Sequence, residues 1–199
     1  MKRFFTLPEP LRELFPITAG AFVVLTLIGY LAGLLRPESI APLLGAFEEM
    51  IDEKGLTEAA GAELMTGILA NNLSALFIAM LLGLIPFIRL PAMELGLNAL
   101  MLGGMASYYQ HSGIPLVAYL VGVLPHGITE LTALVLACAG GLHLCRAVSD
   151  ALLRRGEKGG VARAFGECMQ MYMRVIVPLL LLSALIEAFV TPSLLEAVL

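Results

Sequence analysis

Long apolar segments are the feature that most restricts what this chain can fold into. They lie at residues 17–35, 66–88, 92–109, 114–144 and 171–190. Because a helix that crosses a bilayer needs about 20 mostly apolar residues, the pattern predicts an all-α, polytopic transmembrane helical bundle of about five spans. The whole chain, 1–199, is expected to form this single domain. The fourth segment is longer than a simple span, which predicts a break at Pro125-His126-Gly127 and a new helix starting near Pro125.

Composition supports the same class of protein and excludes two others. Hydrophobic residues make up 59% of the chain and charged residues 14%, and the mean hydropathy is +0.90, which is incompatible with an ordinary soluble domain. A net charge of −4 without a dense run of lysine and arginine argues against a nucleic-acid partner. The partner that composition indicates is membrane lipid. The three cysteines are an odd number, and we interpret them as reduced packing residues.

The distribution of lysine and arginine predicts the orientation. With five spans, ten of these residues fall on the side of the N-terminus, and only Arg36 and Lys54 fall on the other side. The positive-inside rule then predicts a cytoplasmic N-terminus and an extracytoplasmic C-terminus. The basic segment 146–168 becomes a cytoplasmic loop. The acidic segment 36–63 becomes an extracytoplasmic loop with apolar residues at helical spacing, and its amphipathic helix either lies on the bilayer or docks a partner protein.

Small residues repeat every four positions in the first two spans. The first span carries Gly29 and Gly33, and the second carries Ala75, Ala79 and Gly83. Such small-xxx-small patterns allow two helix backbones to approach closely inside a membrane. They fit either packing within one chain or a homodimer, and the sequence leaves both interpretations open.

Five polar residues interrupt the apolar segments away from their cytoplasmic ends: Asn71, Asn72, His126, Glu130 and Glu187. At a rise of about 1.5 Å per residue, Asn72 lies about 9 Å, Glu130 about 6 Å and Glu187 about 5 Å from the predicted outer ends of their helices. Three helices thus place these residues at one level of the outer leaflet. Polar side chains are costly there, so we expect one shared polar site.

The residue types at this level suit a metal ion. His126 and Glu130 are four residues apart and therefore project from one helix face, and Glu187 completes a histidine with two carboxylates. This set suits Zn²⁺ or non-haem iron. Ligands or supporting groups near it are expected to be Asn71, Asn72, Gly127 and Ser183. The alternative is a cluster of hydrogen bonds that holds the helices together without a metal. No catalytic residue is identified.

Several motifs together resemble the stage II sporulation protein M family. They are Asn71-Asn72, Pro125-His126-Gly127 followed by Glu130-Leu131, the segment 139–142 with sequence Ala-Gly-Gly-Leu, and the segment 186–192 with sequence Ile-Glu-Ala-Phe-Val-Thr-Pro. The resemblance runs from about Leu64 to Pro192. It implies a multi-span helical protein of the bacterial cytoplasmic membrane. The family's namesake acts in engulfment during sporulation and helps to localise two peptidoglycan-degrading partners.

Two functional hypotheses follow. The resemblance implies a non-enzymatic membrane scaffold whose outer loop docks peptidoglycan-remodelling proteins outside the cytoplasm. The polar cluster instead favours a metal-dependent membrane enzyme or transporter that uses His126, Glu130 and Glu187. The substrate, the metal and the oligomeric state stay open at this point.

Overall fold

The computed structural model describes residues 7–39 and 61–197, together with Pro42 and Gly45. Seven α-helices occur within these residues: α1 (Glu9–Leu35), α2 (Gly61–Leu81), α3 (Leu90–His111), α4 (Leu116–Leu152), α5 (Gly160–Met171), α6 (Val177–Phe189) and α7 (Thr191–Glu196). Short 3₁₀ turns follow α1 at Pro37–Ser39 and α2 at Leu82–Leu84, and a π-helical turn at Tyr172–Ile176 joins α5 to α6. The predicted amphipathic helix of the 36–63 loop falls largely outside the described residues.

The described part of the chain contains four helical stretches that are long and apolar enough to cross a membrane. They are Glu9–Leu35, Gly61–Leu84, Leu116–Leu152 and Gly160–Phe189. The sequence predicted a fifth span at 92–109, and α3 occupies this position. Its 22 residues reach about 33 Å, enough to cross a bilayer, although its composition is less apolar. The polytopic all-α prediction is confirmed.

Contacts between helices show their relative directions. A Cβ atom on Gly96 of α3 would lie 3.7 Å from the Leu25 side chain of α1, and four residues further along both helices Gly29 adjoins the backbone of Leu100. Helices α1 and α3 are therefore parallel, which places α3 alongside a full-length span. Helices α4 and α6 run in opposite directions, as expected for consecutive spans joined by a short connection.

Helix α4 lies at the centre of the bundle. Residues 133–141 are buried without exception, and α1, α2, α3, α5 and α6 all contact this helix. Large apolar side chains on the outer helices, among them Ile17, Val23 and Leu27 of α1, are instead exposed. The protein is thus apolar on the outside as well as inside, which is the arrangement that a bilayer requires.

The predicted break at Pro125-His126-Gly127 is wrong. Helix α4 continues from Leu116 to Leu152 with Pro125 inside it. Membrane helices tolerate proline because neighbouring helices and local adjustments compensate for the hydrogen bond that proline cannot make. The segment 146–168, which was predicted to be a loop, is largely helical, because α4 extends to Leu152 and α5 starts at Gly160. Only about seven residues connect these two helices.

Small residues permit the closest approaches between helices. A Cβ atom on Gly29 would collide with the backbone of Leu100 in α3, and one on Gly83 would collide with the backbone of Gly141 in α4. Gly141 in turn adjoins the carbonyl oxygen of Ala79. Gly29, Ala79 and Gly83 therefore serve contacts within one chain. Gly33 is buried, whereas Ala75 is exposed, and homodimer formation stays a prediction.

The three cysteines are free and buried.

Replacement of Gly29 by alanine is expected to destabilise the bundle by about 1–3 kcal/mol, since the new methyl group meets backbone atoms that cannot move aside. Gly20→Ala in the same helix is the matched control. A Cβ atom at position 20 meets nothing within 4 Å, so this change is expected to leave stability equal or to raise it by up to about 1 kcal/mol. Thermal unfolding in detergent measures both. Equal melting temperatures for the two variants would refute the packing role of Gly29.

Candidate functional site

The structure brings His126, Glu130 and Glu187 together. One ligand atom from each residue can be chosen so that all three atoms lie within 4.8 Å of one another. His126 and Glu130 are one turn apart on α4, and the antiparallel α6 places Glu187 opposite them. All three residues are partly buried. The convergence that the sequence predicted from three separate positions is therefore present in the fold.

Hydrogen bonds from α6 and α7 position the two α4 residues. The Ser183 hydroxyl lies 3.2 Å from Glu130 Oε2 and 3.2 Å from the His126 carbonyl oxygen. His126 Nδ1 lies 3.3 Å from Thr191 Oγ1, and the Thr191 hydroxyl donates to the carbonyl oxygen of Ile186. This pattern makes Nδ1–H the donor to Thr191 and leaves the lone pair of the ring on Nε2, the nitrogen that a metal would need.

The two asparagines of α2 lie on the opposite side of the cluster. The Asn71 side chain donates a hydrogen bond to Asn72 Oδ1 at 3.1 Å, and the Asn72 side chain faces the Glu130 carboxylate across the cavity that both line. Glu130 is thus flanked from two helices, by Ser183 and by Asn72. Gly127 is buried and lines the same space. Every residue that the sequence assigned to the surroundings of the site lies next to it.

A cavity of about 540 Å³ extends from this cluster between α2, α3, α4 and α6. The cluster residues and both asparagines line its polar part, while its remaining walls are largely apolar, with Leu76, Leu97, Met101, Leu102, Met105, Val123, Leu131 and Leu134. Ala75 and Leu97 line the cavity and are also exposed. The cavity therefore opens sideways between α2 and α3.

Two polar residues of this cavity were missed by sequence reasoning. Glu94 and Asn98 of α3 are absent from the predicted site, yet both line the cavity. The Asn98 side chain donates to Glu94 Oε1 at 3.1 Å and to the Glu94 carbonyl oxygen at 2.9 Å. Their spacing of four residues, which places both on one helix face, was the available signal.

The depth predicted for Glu130 was wrong for the same reason as the predicted break. The estimate measured Glu130 from a helix start at His126, but α4 starts at Leu116. Glu130 therefore lies 14 residues, or about 21 Å, along the helix. Asn72 is about 16 Å from the start of α2 at Gly61. Glu130 and Asn72 therefore lie further along their helices than the sequence suggested, whereas Glu187 lies two residues, or about 3 Å, before the end of α6 at Phe189.

The charges of the cluster indicate which ligand it suits. Two carboxylates near each other in a low-dielectric environment repel unless a proton or a cation offsets their charge. A divalent cation would neutralise both, with the imidazole as a neutral donor. Ser183 hydrogen-bonds the Glu130 carboxylate and the His126 carbonyl oxygen rather than a histidine ring, so the geometry does not resemble a serine nucleophile with its base.

Comparison with known proteins gives one family and one relative. The family model described as stage II sporulation protein M matches residues 18–192. An uncharacterised protein of Methanocaldococcus jannaschii is 29% identical over 126 residues, which are 63% of this chain and 70% of that protein. No solved structure matches the chain. The match to the family includes most of the first span and all the residues of the cluster.

Glu187→Gln is expected to stabilise the protein in the presence of a chelator, by about 1 kcal/mol. The amide keeps the shape of the side chain and removes one of two facing carboxylates. Glu63→Gln, an exposed carboxylate in the first turn of α2, is the control and should change little. Thermal unfolding in detergent with chelator measures the effect. A lower melting temperature for Glu187→Gln would instead favour the hydrogen-bond cluster.

Proposed function

This chain belongs to the stage II sporulation protein M family, and we propose that it is a multi-pass membrane protein whose function depends on a divalent metal ion in its intramembrane cavity. His126, Glu130 and Glu187 are the proposed ligands. The convergence of their three ligand atoms within 4.8 Å is the observation that supports the proposal.

The surroundings of the three ligands support the same proposal. Metal-binding histidines usually donate their second ring N–H to an oxygen acceptor, which fixes the ring and its tautomer. His126 has such a partner in Thr191, and Glu130 is held by Ser183. A site in which these supporting contacts exist beforehand needs little rearrangement to accept a metal.

Zn²⁺ and Fe²⁺ are the metals that the donor set favours. One imidazole nitrogen with two carboxylate oxygens suits both ions, and three protein ligands leave a coordination position open for water or a substrate. The charge of +2 balances two carboxylates, so the occupied site carries no net charge within the membrane. This neutrality lowers the cost of placing charged groups there.

Elemental analysis of detergent-purified protein tests the site. Wild type is expected to retain about one Zn or Fe per chain, and His126→Ala and Glu187→Gln are each expected to lose it, because removal of one ligand of three weakens binding severely. His111→Ala is the matched control, since this histidine lies at the exposed end of α3. Thr191→Val, which removes the support of the His126 ring, should lower metal affinity by about 10–100-fold.

The result for wild type decides between the two interpretations of the cluster. Absence of bound metal, even after Zn²⁺ or Fe²⁺ is added back, would contradict the metal site. The cluster would then be a set of hydrogen bonds between helices. Gel filtration of every variant establishes that loss of metal is not loss of fold.

A second candidate function rests on family membership. We propose that the chain is also a scaffold that localises extracytoplasmic, peptidoglycan-remodelling proteins through its 36–63 loop. The acidic residues and the helical spacing of apolar residues in this loop support a docking role. In this function the polar cluster holds the helices in register and takes no part in chemistry.

Replacement of residues 38–63 by a flexible Gly/Ser linker of equal length is expected to abolish recovery of these partner proteins after cross-linking in cells. Gly20→Ala in α1 is the control, because a Cβ atom at this position meets nothing within 4 Å and the change should leave docking unaffected. Recruitment that survives the loop replacement would contradict docking through this segment. Because the linker keeps α1 and α2 connected, the bundle is expected to fold.

A further inference from the structure

We propose that the cavity admits a membrane lipid from the side, so that an uncharged polar group of the lipid lies at the cluster of His126, Glu130 and Glu187 while its chains stay in the bilayer. The proposal rests on the metal site proposed above and names the class of ligand that reaches it. Its support comes from the position of the opening, from the size and walls of the cavity, and from the charges that line it.

The opening of the cavity has an apolar rim. Ala75 of α2 and Leu97 of α3 line the cavity and are exposed. Ile78, three residues after Ala75, is exposed as well. Met93, four residues before Leu97, is also exposed. These spacings place each pair on one helix face, so a molecule that passes the rim comes from the lipid phase.

Helices α3 and α4 are in contact at both ends of the cavity. Towards the connection between them, the Tyr119 hydroxyl donates to the Leu102 carbonyl oxygen at 2.9 Å, and the ring centres of Tyr109 and Tyr119 lie 5.6 Å apart. Beyond the other end, the ring of Pro91 lies against Gly141. Helices α2 and α3 make few contacts with each other, although each packs against α4. The gap between α2 and α3 is therefore the route that this packing leaves.

The size of the cavity suits the polar part of a lipid. Its volume of about 540 Å³ is typical of a site for a drug-sized ligand, and a lipid with two long chains is larger. The chains must then extend through the lateral opening. Met101, Met105 and Leu131 line the apolar walls, and the flexible methionine side chains can adapt to the first carbons of a chain.

The charges of the cavity select an uncharged polar group. Glu94, Glu130 and Glu187 line it, whereas none of the described lining residues is a lysine or an arginine. A metal ion at the cluster neutralises two of these carboxylates. A phosphate group would then bring negative charge into a low-dielectric space without a cationic side chain to pair with. A hydroxyl or ester oxygen brings no charge, and it can occupy the open coordination position of the metal.

Photo-crosslinking of the full-length protein in lipid nanodiscs tests the proposal. The probe is a diacylglycerol that carries a diazirine on one chain, and phosphatidic acid with the same chains is its matched partner. Zn²⁺-loaded wild type is expected to capture diacylglycerol at residues beside the opening, and an excess of unlabelled diacylglycerol should abolish this capture. Phosphatidic acid is expected to be captured at least about tenfold less, which corresponds to about 1.4 kcal/mol.

Variants that fill the opening test the route of entry. Ala75→Trp and Leu97→Trp each place a large ring there from a different helix, so both are expected to lose the capture. Val24→Trp is the matched control, because Val24 is exposed on α1 and is not a lining residue. Gel filtration and thermal unfolding establish that each variant is folded. Capture that persists in either folded variant at the wild-type level overturns entry between α2 and α3.

Elemental analysis of the same preparations separates this proposal from the metal site on which it rests. Wild-type protein that binds metal but shows no saturable capture overturns lipid binding and leaves the metal site intact. Saturable capture by wild-type protein that binds no metal overturns the metal site and the contact of the lipid with it, and supports lateral entry. Equal capture of diacylglycerol and phosphatidic acid overturns the selection of an uncharged group.

Discussion

Close approach of helix backbones around α4 is the constraint on which the rest of the structure depends. Lipid tails are as apolar as leucine, so no hydrophobic force drives helices together within a bilayer. Contact must come from dispersion between surfaces that fit. At Gly141, the ring of Pro91 and the carbonyl oxygen of Ala79 approach so closely that no side chain would fit. This packing fixes α2 and α3 against α4 and thereby determines where a cavity is left.

The cavity exists because the packing of α4 changes along its length. Small residues between 133 and 141 are enclosed on every side, whereas Pro125, His126 and Glu130 are only partly buried. Polar groups concentrate where the enclosure ends. The His126 ring is partnered by Thr191 and the Glu130 carboxylate by Ser183, and among the described residues no fully buried side-chain nitrogen or oxygen lacks a hydrogen bond. These two residues of the cluster are therefore held in place before any ligand binds.

Apolar length was sufficient to predict the helices, and four-residue spacing placed His126 and Glu130 on one helix face. The convergence of Glu187 with them was predicted from its distance to the end of its helix. These signals failed at Pro125, because a rule derived from helices in water overstates how strongly proline breaks a helix in a membrane. They also failed at Glu94, since its distance along the chain from the cluster says nothing about a shared cavity. The position of a cavity depends on contacts between side chains that are far apart in the sequence. These contacts follow no sequence periodicity, so a single sequence does not predict them.

The π-helical turn at Tyr172–Ile176 sets the angular register of everything that follows it. Its wider winding accommodates an additional residue relative to an α-helix, and each residue rotates an α-helix by about 100°. The turn is anchored to α2, where the Tyr172 hydroxyl donates to the Leu73 carbonyl oxygen at 2.6 Å. Loss of one residue here would turn Ser183 and Glu187 away from α4 together. The number of residues in this turn, which lies outside the cluster, therefore determines whether Ser183 and Glu187 face it.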